Sequence, residues 1–210
     1  MGMVLPPDSN ALHQCILTLK NGGVVVFPTE TVYGIGADIR QSSAITRVIA
    51  IKGRPKTQPL LVHCADFEQA KPLITNHPPE ASLLAEKFLP GSLALIFFRS
   101  PLVPDVVTGG GDTVGIRVVA NPFFARLCRE LGAPLVGSSA NLSGQGATND
   151  FSAINPKIIE NADVAIDAGK TGSGLASTIL DLTVKPFRLL RIGAIPPEEI
   201  EKLLGEKIRH

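Results

Sequence analysis

The chain has 210 residues, of which 44% are apolar and 19% are charged, a globular composition that excludes a disordered chain. Twenty basic and nineteen acidic side chains leave a formal net charge of +1. Non-specific nucleic-acid binding requires a clear cationic excess, so we do not expect it to be the main function. The length predicts one domain whose core needs no disulfide or metal.

Cysteine spacing and hydropathy indicate the compartment. Cys15, Cys64 and Cys128 are far apart and form no C-x-x-C pair, so we expect buried thiols in a reducing compartment. The first ten residues do not resemble a signal peptide. The most apolar stretch, 93–98, is far shorter than the roughly 20 residues of a membrane helix. The expected location is therefore cytoplasmic, with no membrane contact.

Apolar periodicity predicts helices that alternate with strands. A first helix begins with Ser9 or Asn10 as its N-cap, and a second begins at Ser42 and ends near Gly53 and Pro55. The alternation predicts an α/β fold, and the crowding of strands after residue 164 predicts a mixed sheet. Strands are predicted at 24–27, 60–64, 93–98, 114–119, 134–136, 164–166, 178–182 and 187–192, and further helices at 79–88, 122–131, 153–161 and from 196.

Two polar segments adjoin predicted strands, where α/β folds place their binding sites. Segment 28–36, PTETVYGIG, carries hydroxyls, a carboxyl, a phenol and two glycines, and it suits either a ligand site or a capped loop. Segment 52–56 places Lys52, Arg54 and Lys56 at a helix end. They either stabilise the helix dipole or clamp a phosphate.

Two later segments pose similar alternatives. Arg117 interrupts an apolar strand that starts near Thr113, and a buried cation needs a protein carboxylate or an anionic ligand. Segment 137–144, GSSANLSG, lacks the spacing of a nucleophile elbow, so its hydroxyls and amide are better suited to hydrogen-bond a ligand than to act as a serine hydrolase. The triplet Gly169-Lys170-Thr171 lacks the earlier glycine of a phosphate-binding loop.

Taken together, these segments resemble the YrdC/Sua5 family. The likeness runs in the family's order over nearly the whole chain. It rests on PTETVYGIG (28–36), KGRP through QPLLVH (52–63), LPG (89–91), TVGIRV (113–118), SSANLSG (138–144), STILDL (177–182) and LLRIGAI (189–195).

The resemblance implies a fold, a reaction and partners. The expected fold is a twisted mixed sheet flanked by helices, with a concave, positively charged site. It forms one domain over 1–210 with a core at about 9–195, and it lacks the C-terminal domain of Sua5 proteins. The implied reaction converts L-threonine, bicarbonate and ATP, carried with Mg²⁺, into threonylcarbamoyl-AMP and pyrophosphate. Downstream transferase proteins then modify adenosine 37 of tRNA.

The resemblance also implies roles for individual residues, without a dedicated metal site. The expected catalytic residues are Lys52, Arg54, Ser139 and Asn141. ATP would be held by Arg54, Gln58, Thr113, Ser139, Asn141 and Arg191, and L-threonine by Thr31, Tyr33, His63, Arg117 and Ser177.

Two alternatives stay open beside this interpretation. One is a non-catalytic module that binds tRNA or double-stranded RNA, against which the near-neutral charge and the shortage of aromatic side chains weigh. The other is carbamoyl transfer to another acceptor, as in the related domain of hydrogenase-maturation proteins, which is ranked last.

Overall fold

The computed structural model describes residues 2–209, and its helices and strands alternate along the chain. The N-terminal half contains β1 (Met3–Leu5), α1 (Ser9–Lys20), β2 (Val25–Phe27), β3 (Gly34–Asp38), α2 (Ser42–Lys52), β4 (Leu61–Cys64), β5 (Ile74–Thr75), α3 (Glu80–Phe88) and β6 (Leu93–Arg99). The C-terminal half contains α4 (Asp105–Thr108), β7 (Thr113–Val118), α5 (Pro122–Leu131), β8 (Leu135–Ser139), α6 (Pro156–Asn161), β9 (Val164–Ile166), β10 (Thr178–Asp181), β11 (Arg188–Arg191) and α7 (Pro197–Leu204).

The strands form a single mixed sheet in the order β1-β9-β2-β3-β8-β4-β7-β6-β10-β11, with β5 paired to β6. The pairs β1–β9, β9–β2, β4–β7 and β6–β10 are parallel, and the others are antiparallel. The predicted mixed α/β sheet is therefore confirmed. Helices α1 and α5 pack against each other, as do α2 with α6 and α3 with α7.

Burial explains where the sequence predictions hold. Strand β2 is buried at all three positions, as its continuous apolar run predicts for an internal strand. All three cysteines are buried and free, which confirms the prediction for these thiols. Helix α2 ends at Gly53 in a left-handed conformation with φ of 60°, the usual role of a C-cap glycine.

Several predictions of local structure were wrong. Asp8, rather than Ser9 or Asn10, caps α1, since its Oδ1 accepts a bond from the amide of Ala11 at 2.8 Å. Ser42 is the first residue of α2 and provides no side-chain cap. The helix predicted at 153–161 is only the six-residue α6, because the side chain of Asn155 caps it and a proline starts it.

Four elements were not predicted at all: β1, β3, β5 and α4. Strand β3 contains two glycines, which disfavour a strand, yet all five of its positions are buried between β2 and β8. The ring of Phe27 occupies the space that a Cβ on Gly34 would need, at 2.5 Å. Tertiary packing thus overrides local propensity here. Within the described residues, no helix is both long and apolar enough to cross a bilayer.

Candidate active site

A cavity of about 290 Å³ lies over strands β4, β7, β6 and β10. Gly115 pairs with Leu61 on one side and with Ile96 on the other, so these three residues share one face of the sheet. The Leu61 and Ile96 side chains close over Gly115 and occupy the place of a Cβ there. The floor of the cavity is therefore smooth and apolar, which suits the packing of a flat ring.

The walls of this cavity are polar and cationic. Four of the residues predicted to hold a nucleotide line it, namely Arg54, Gln58, Thr113 and Arg191. A larger and more open depression of about 710 Å³ surrounds Arg99. There the Arg99 guanidinium already pairs with Asp105 at 2.6 Å, so that depression offers an anion no unpaired arginine.

Arg54 and Arg191 are held by backbone carbonyls and pair with no carboxylate within residues 2–209. Arg54 donates to the carbonyls of Gln58 at 3.2 Å and Pro59 at 2.7 Å, and Arg191 donates to that of Ser177 at 2.8 Å. Burial lowers the pKa of both guanidinium groups, and the nearby charges of Arg117 and Arg54 lower the pKa of Arg191 further. An anion in this cavity would relieve that repulsion.

Lys52 connects the end of α2 to the turn that follows β8. Its side chain is buried, and its Nζ donates to the carbonyl oxygens of Ser139 and Asn141. In return, its own carbonyl accepts a bond from the amide of Ser143 at 2.8 Å. Burial, and then the charge of Arg54, lower the pKa of Lys52 to about 8. Lys52 therefore positions the polar turn and adds a cation beside it.

Asn141 carries one of the few buried polar atoms without a partner. Its Nδ2 donates to the carbonyls of Leu142 and Gln145, at 2.9 and 2.7 Å. Its Oδ1 has no hydrogen-bond partner among the residues described. An orphaned buried acceptor is costly unless a ligand supplies a donor. Ser139, the last residue of β8, and Asn141, in the turn that follows, thus lie beside an acceptor that a ligand donor could satisfy.

A second polar cluster lies further along the same face. Thr113, Gly115 and Arg117 project from one side of β7, because side chains in a strand alternate. His63 is the register partner of Arg117 on the adjacent β4. The cluster therefore begins two residues beyond the floor of the cavity.

The guanidinium of Arg117 is buried and partly neutralised. Its Nη2 donates to Glu30 Oε1 at 2.6 Å and to Thr31 Oγ1 at 2.7 Å, and its Nε donates to the carbonyl of Gly91 at 3.3 Å. Its Nη1 has no partner in the described part of the chain. Of the two alternatives that the sequence left open, the structure shows the protein carboxylate and leaves one nitrogen for a ligand.

His63 and Ser177 contribute two further unpartnered atoms. His63 Nδ1 and Ser177 Oγ are buried and make no hydrogen bond within residues 2–209. Burial, and then the charge of Arg117, lower the pKa of His63 to about 3, so its ring is neutral at physiological pH. The three orphaned side-chain atoms among the described residues thus all belong to predicted site residues.

The polar atom of Tyr33 is fully used by contacts within the protein. Its side chain is fully buried, and its ring packs edge-on against Phe151 with the ring centroids 5.7 Å apart. Its hydroxyl donates to the carbonyl of Gly169 at 2.9 Å and accepts from the amide of Ala168 at 3.0 Å. This hydroxyl holds a turn in place and makes no hydrogen bond to the Arg117 cluster within residues 2–209.

Sequence reasoning missed two parts of the site. Glu30 was noted only as part of segment 28–36, yet it contacts Arg117 directly. The apolar floor was also missed, although the alternation of Thr113, Gly115 and Arg117 along one strand is a signal that could have revealed it.

A twisted mixed sheet flanked by helices, with a cavity lined by two arginines over an apolar floor, defines the chain as an α/β protein. It belongs to the Sua5/YciO/YrdC family, whose model, described as telomere recombination, matches residues 17–193. Similar proteins include two threonylcarbamoyl-AMP synthases. The Pyrococcus abyssi protein is 42% identical over 90% of this chain and 55% of its own length. The Bacillus subtilis protein is 38% identical over 96% of this chain and 58% of its own length.

A solved structure shows the same likeness. The crystal structure of P. abyssi Sua5 complexed with L-threonine is 38% identical and superposes with a TM-score of 0.93, over 100% of this chain and 62% of that one. The expected family and the expected mixed sheet flanked by helices are therefore confirmed. The chain spans somewhat more than half the length of these relatives.

Proposed function

We propose that the protein is a threonylcarbamoyl-AMP synthase, which converts L-threonine, bicarbonate and ATP into threonylcarbamoyl-AMP and pyrophosphate. The observation that carries this proposal is the pairing of two sites on one sheet face. The cationic cavity suits a nucleotide, and the Arg117 cluster, two residues further along β7, suits an amino acid. The names of the relatives, and the L-threonine in one of them, support the same reaction.

The reaction requires one oxygen of a threonine carbamate to attack the α-phosphate of ATP while pyrophosphate leaves. The base of ATP would pack on the floor made by Leu61, Gly115 and Ile96. Arg54 and Arg191 would then stabilise the negative charge of the phosphates. Mg²⁺ would enter with ATP as part of the substrate. Positioning and electrostatic stabilisation suffice, and no covalent intermediate with the enzyme is needed.

Each predicted residue has a defined task in this scheme. Lys52, Ser139 and Asn141 would activate ATP and bicarbonate, with the orphaned Asn141 Oδ1 as an acceptor for a ligand hydroxyl or amino group. Gln58 and Thr113 would bind the nucleotide. L-Threonine would be held by Thr31, His63, Arg117 and Ser177. Tyr33 would contribute to this pocket indirectly, through its hydrogen bonds to the 168–169 turn. Downstream transferases would pass the activated group to adenosine 37 of tRNA.

The arrangement of the arginines favours this function over RNA binding. Arg54 and Arg191 lie together at one cavity, whereas other arginines, such as Arg47 and Arg126, pair with carboxylates. Two arginines that converge on one cavity suit the phosphates of a small molecule, whereas an RNA backbone needs cations spread along a surface.

The direct test is pyrophosphate release from ATP and Mg²⁺ with bicarbonate, in the presence and absence of L-threonine. We expect release only with L-threonine. Arg54→Ala should reduce turnover at least about a hundredfold, because a lost phosphate contact in the transition state costs several kcal/mol. Arg126→Ala is the control, since this exposed arginine pairs only with Glu130. Threonine-independent release, or near-normal turnover of Arg54→Ala, would contradict the proposal.

A further inference from the structure

Glu30 is a carboxylate that the proposed reaction has so far left without a task. Its Oε1 accepts from Arg117 Nη2 at 2.6 Å, and its Oε2 accepts from the amide of Ala120 at 3.1 Å. Its side chain is 20% exposed, against 5% for that of Arg117. Glu30 is thus fixed from two sides but keeps an accessible face.

Both members of this ion pair have bonding capacity to spare. A carboxylate offers about four acceptor sites, and only two of those on Glu30 are used by the described residues. Arg117 has a free Nη1. A cationic group and an anionic group therefore lie side by side, each able to bind one more group of opposite charge.

Such a pair is complementary to a zwitterion. An α-amino acid carries a carboxylate and an ammonium group on one carbon, so it presents both charges within a short distance. The ligand carboxylate would bind Arg117 and the ligand ammonium would bind Glu30. Two ion pairs to the ligand would then accompany the pair that Glu30 and Arg117 form with each other. His63 is the register partner of Arg117 on β4, and its orphaned Nδ1 offers a partner for a polar side chain.

We propose that Glu30 binds the ammonium group of the amino-acid substrate, while Arg117 binds its carboxylate. This inference rests on the proposed function and states the form in which L-threonine enters. Threonine therefore enters the site as a zwitterion.

The discriminating measurement compares two ligands by isothermal titration calorimetry. L-Threonine has both charges, whereas (R)-3-hydroxybutyrate has the same carboxylate and hydroxyl without the amino group. We expect Glu30→Gln to weaken L-threonine binding at least tenfold and to leave 3-hydroxybutyrate within twofold or tighter. The ratio of the two dissociation constants reports on the ammonium contact itself, which a purely structural role of Glu30 would not change.

Two outcomes would overturn the inference. Equal weakening of both ligands would mean that Glu30 only holds Arg117 in place. Tighter binding of both ligands would mean that Glu30 competes with the ligand carboxylate for Arg117. Glu130→Gln is the matched control, because Glu130 pairs with the exposed Arg126. Thermal melting checks that both variants fold.

If Glu30→Gln does not fold, Glu30→Asp keeps the charge but withdraws it by one methylene. The dissociation constant of L-threonine should then rise relative to that of 3-hydroxybutyrate. An unchanged ratio of the two constants would overturn the inference. The proposed function can fail separately. If Glu30→Gln changes the ratio as expected but the protein releases no pyrophosphate in response to L-threonine, the proposed synthase is refuted and the zwitterion contact stands. If the protein is an active synthase but Glu30→Gln leaves the ratio unchanged, the zwitterion contact is refuted and the synthase stands.

Discussion

Gly172 holds a surface loop against the backbone of Glu30 and Thr31, in the proposed amino-acid site, and substituting it should weaken threonine binding selectively. Its φ of +62° is left-handed, and a Cβ added there would lie 2.5 Å from the carbonyl carbon of Glu30 and 2.6 Å from the amide nitrogen of Thr31. The loop is also tied to this backbone by bonds from the amides of Ser173 and Gly174 to the carbonyls of Glu30 and Thr31, at 3.0 and 2.9 Å. Gly172→Ala must therefore break these contacts.

The expected magnitude follows from a matched control in the same loop. Gly169 has nearly the same φ, +63°, but nothing within 4 Å of an added Cβ. Alanine in this conformation costs about 1–2 kcal/mol at either position. Gly172→Ala also loses two backbone hydrogen bonds, at about 1 kcal/mol each. Its free energy of unfolding should therefore fall by about 2 kcal/mol more than that of Gly169→Ala, as measured by denaturant unfolding.

The functional effect should be larger for L-threonine than for ATP. Displacing the 30–31 backbone moves Thr31 Oγ1, which is proposed to hold L-threonine, and a hydrogen bond to a charged ligand group is worth about 1.5–3 kcal/mol. That corresponds to a rise of about tenfold to a hundredfold in KM for L-threonine, with KM for ATP changed less than threefold. Steady-state pyrophosphate release measures both constants. Equal values of KM for L-threonine in the two alanine variants would refute the argument.

Two further predictions concern the nucleotide cavity. Because the pKa of Lys52 is lowered to about 8, kcat/KM for ATP should fall by up to about tenfold for each pH unit above 8. The charge of arginine persists over this range, so Lys52→Arg should be less active overall but should not show this decline. The unfolded-state pKa of 10.5 lies above the folded one, so Lys52 should make stability rise with pH between 8 and 10.5. The buried thiols of Cys15, Cys64 and Cys128 act in the opposite direction, because burial raises their pKa. The test is therefore the difference in unfolding free energy between the protein and Lys52→Arg, which should grow over that window, and an unchanged difference would contradict the assignment. Gly115→Ala pushes Leu61 and Ile96 into the cavity. It should raise KM for ATP several-fold and change KM for L-threonine little. The control Gly146→Ala, with open space around its Cβ, should change neither constant.

The sequence revealed elements whose signal is local. The apolar run at 24–27 and the helix at 122–131 were predicted because each carries its own periodicity and end signals. Strand β3 was not, because its burial depends on pairing with β8, about a hundred residues away in the chain. Its two glycines give no local reason to form a strand. Short elements such as β5 and α4 span too few residues for any period to appear.

The site shows the same division between local and distant information. Residue types identified Arg117 as a buried cation in need of a partner, but its partner Glu30 is 87 positions away, and only the folded chain shows that they meet. The partners of the Tyr33 hydroxyl are also distant in the chain, since they lie in the 168–169 turn. The resemblance to a family supplied roles for residues, whereas the structure showed which of their atoms are free to bind.

The charge of each half of the site matches the charge of the ligand proposed for it. In the nucleotide cavity, Arg54 and Arg191 have no carboxylate partner within the described residues, so this half is cationic and gains energy when a polyanion such as MgATP enters. In the amino-acid half, Glu30 neutralises Arg117, so this half is nearly neutral overall, as a zwitterion is. A second unpaired cation there would attract free phosphate or nucleotide into the threonine pocket. In the proposed function, the Glu30–Arg117 pair would therefore keep the two ligands in separate places on one sheet face.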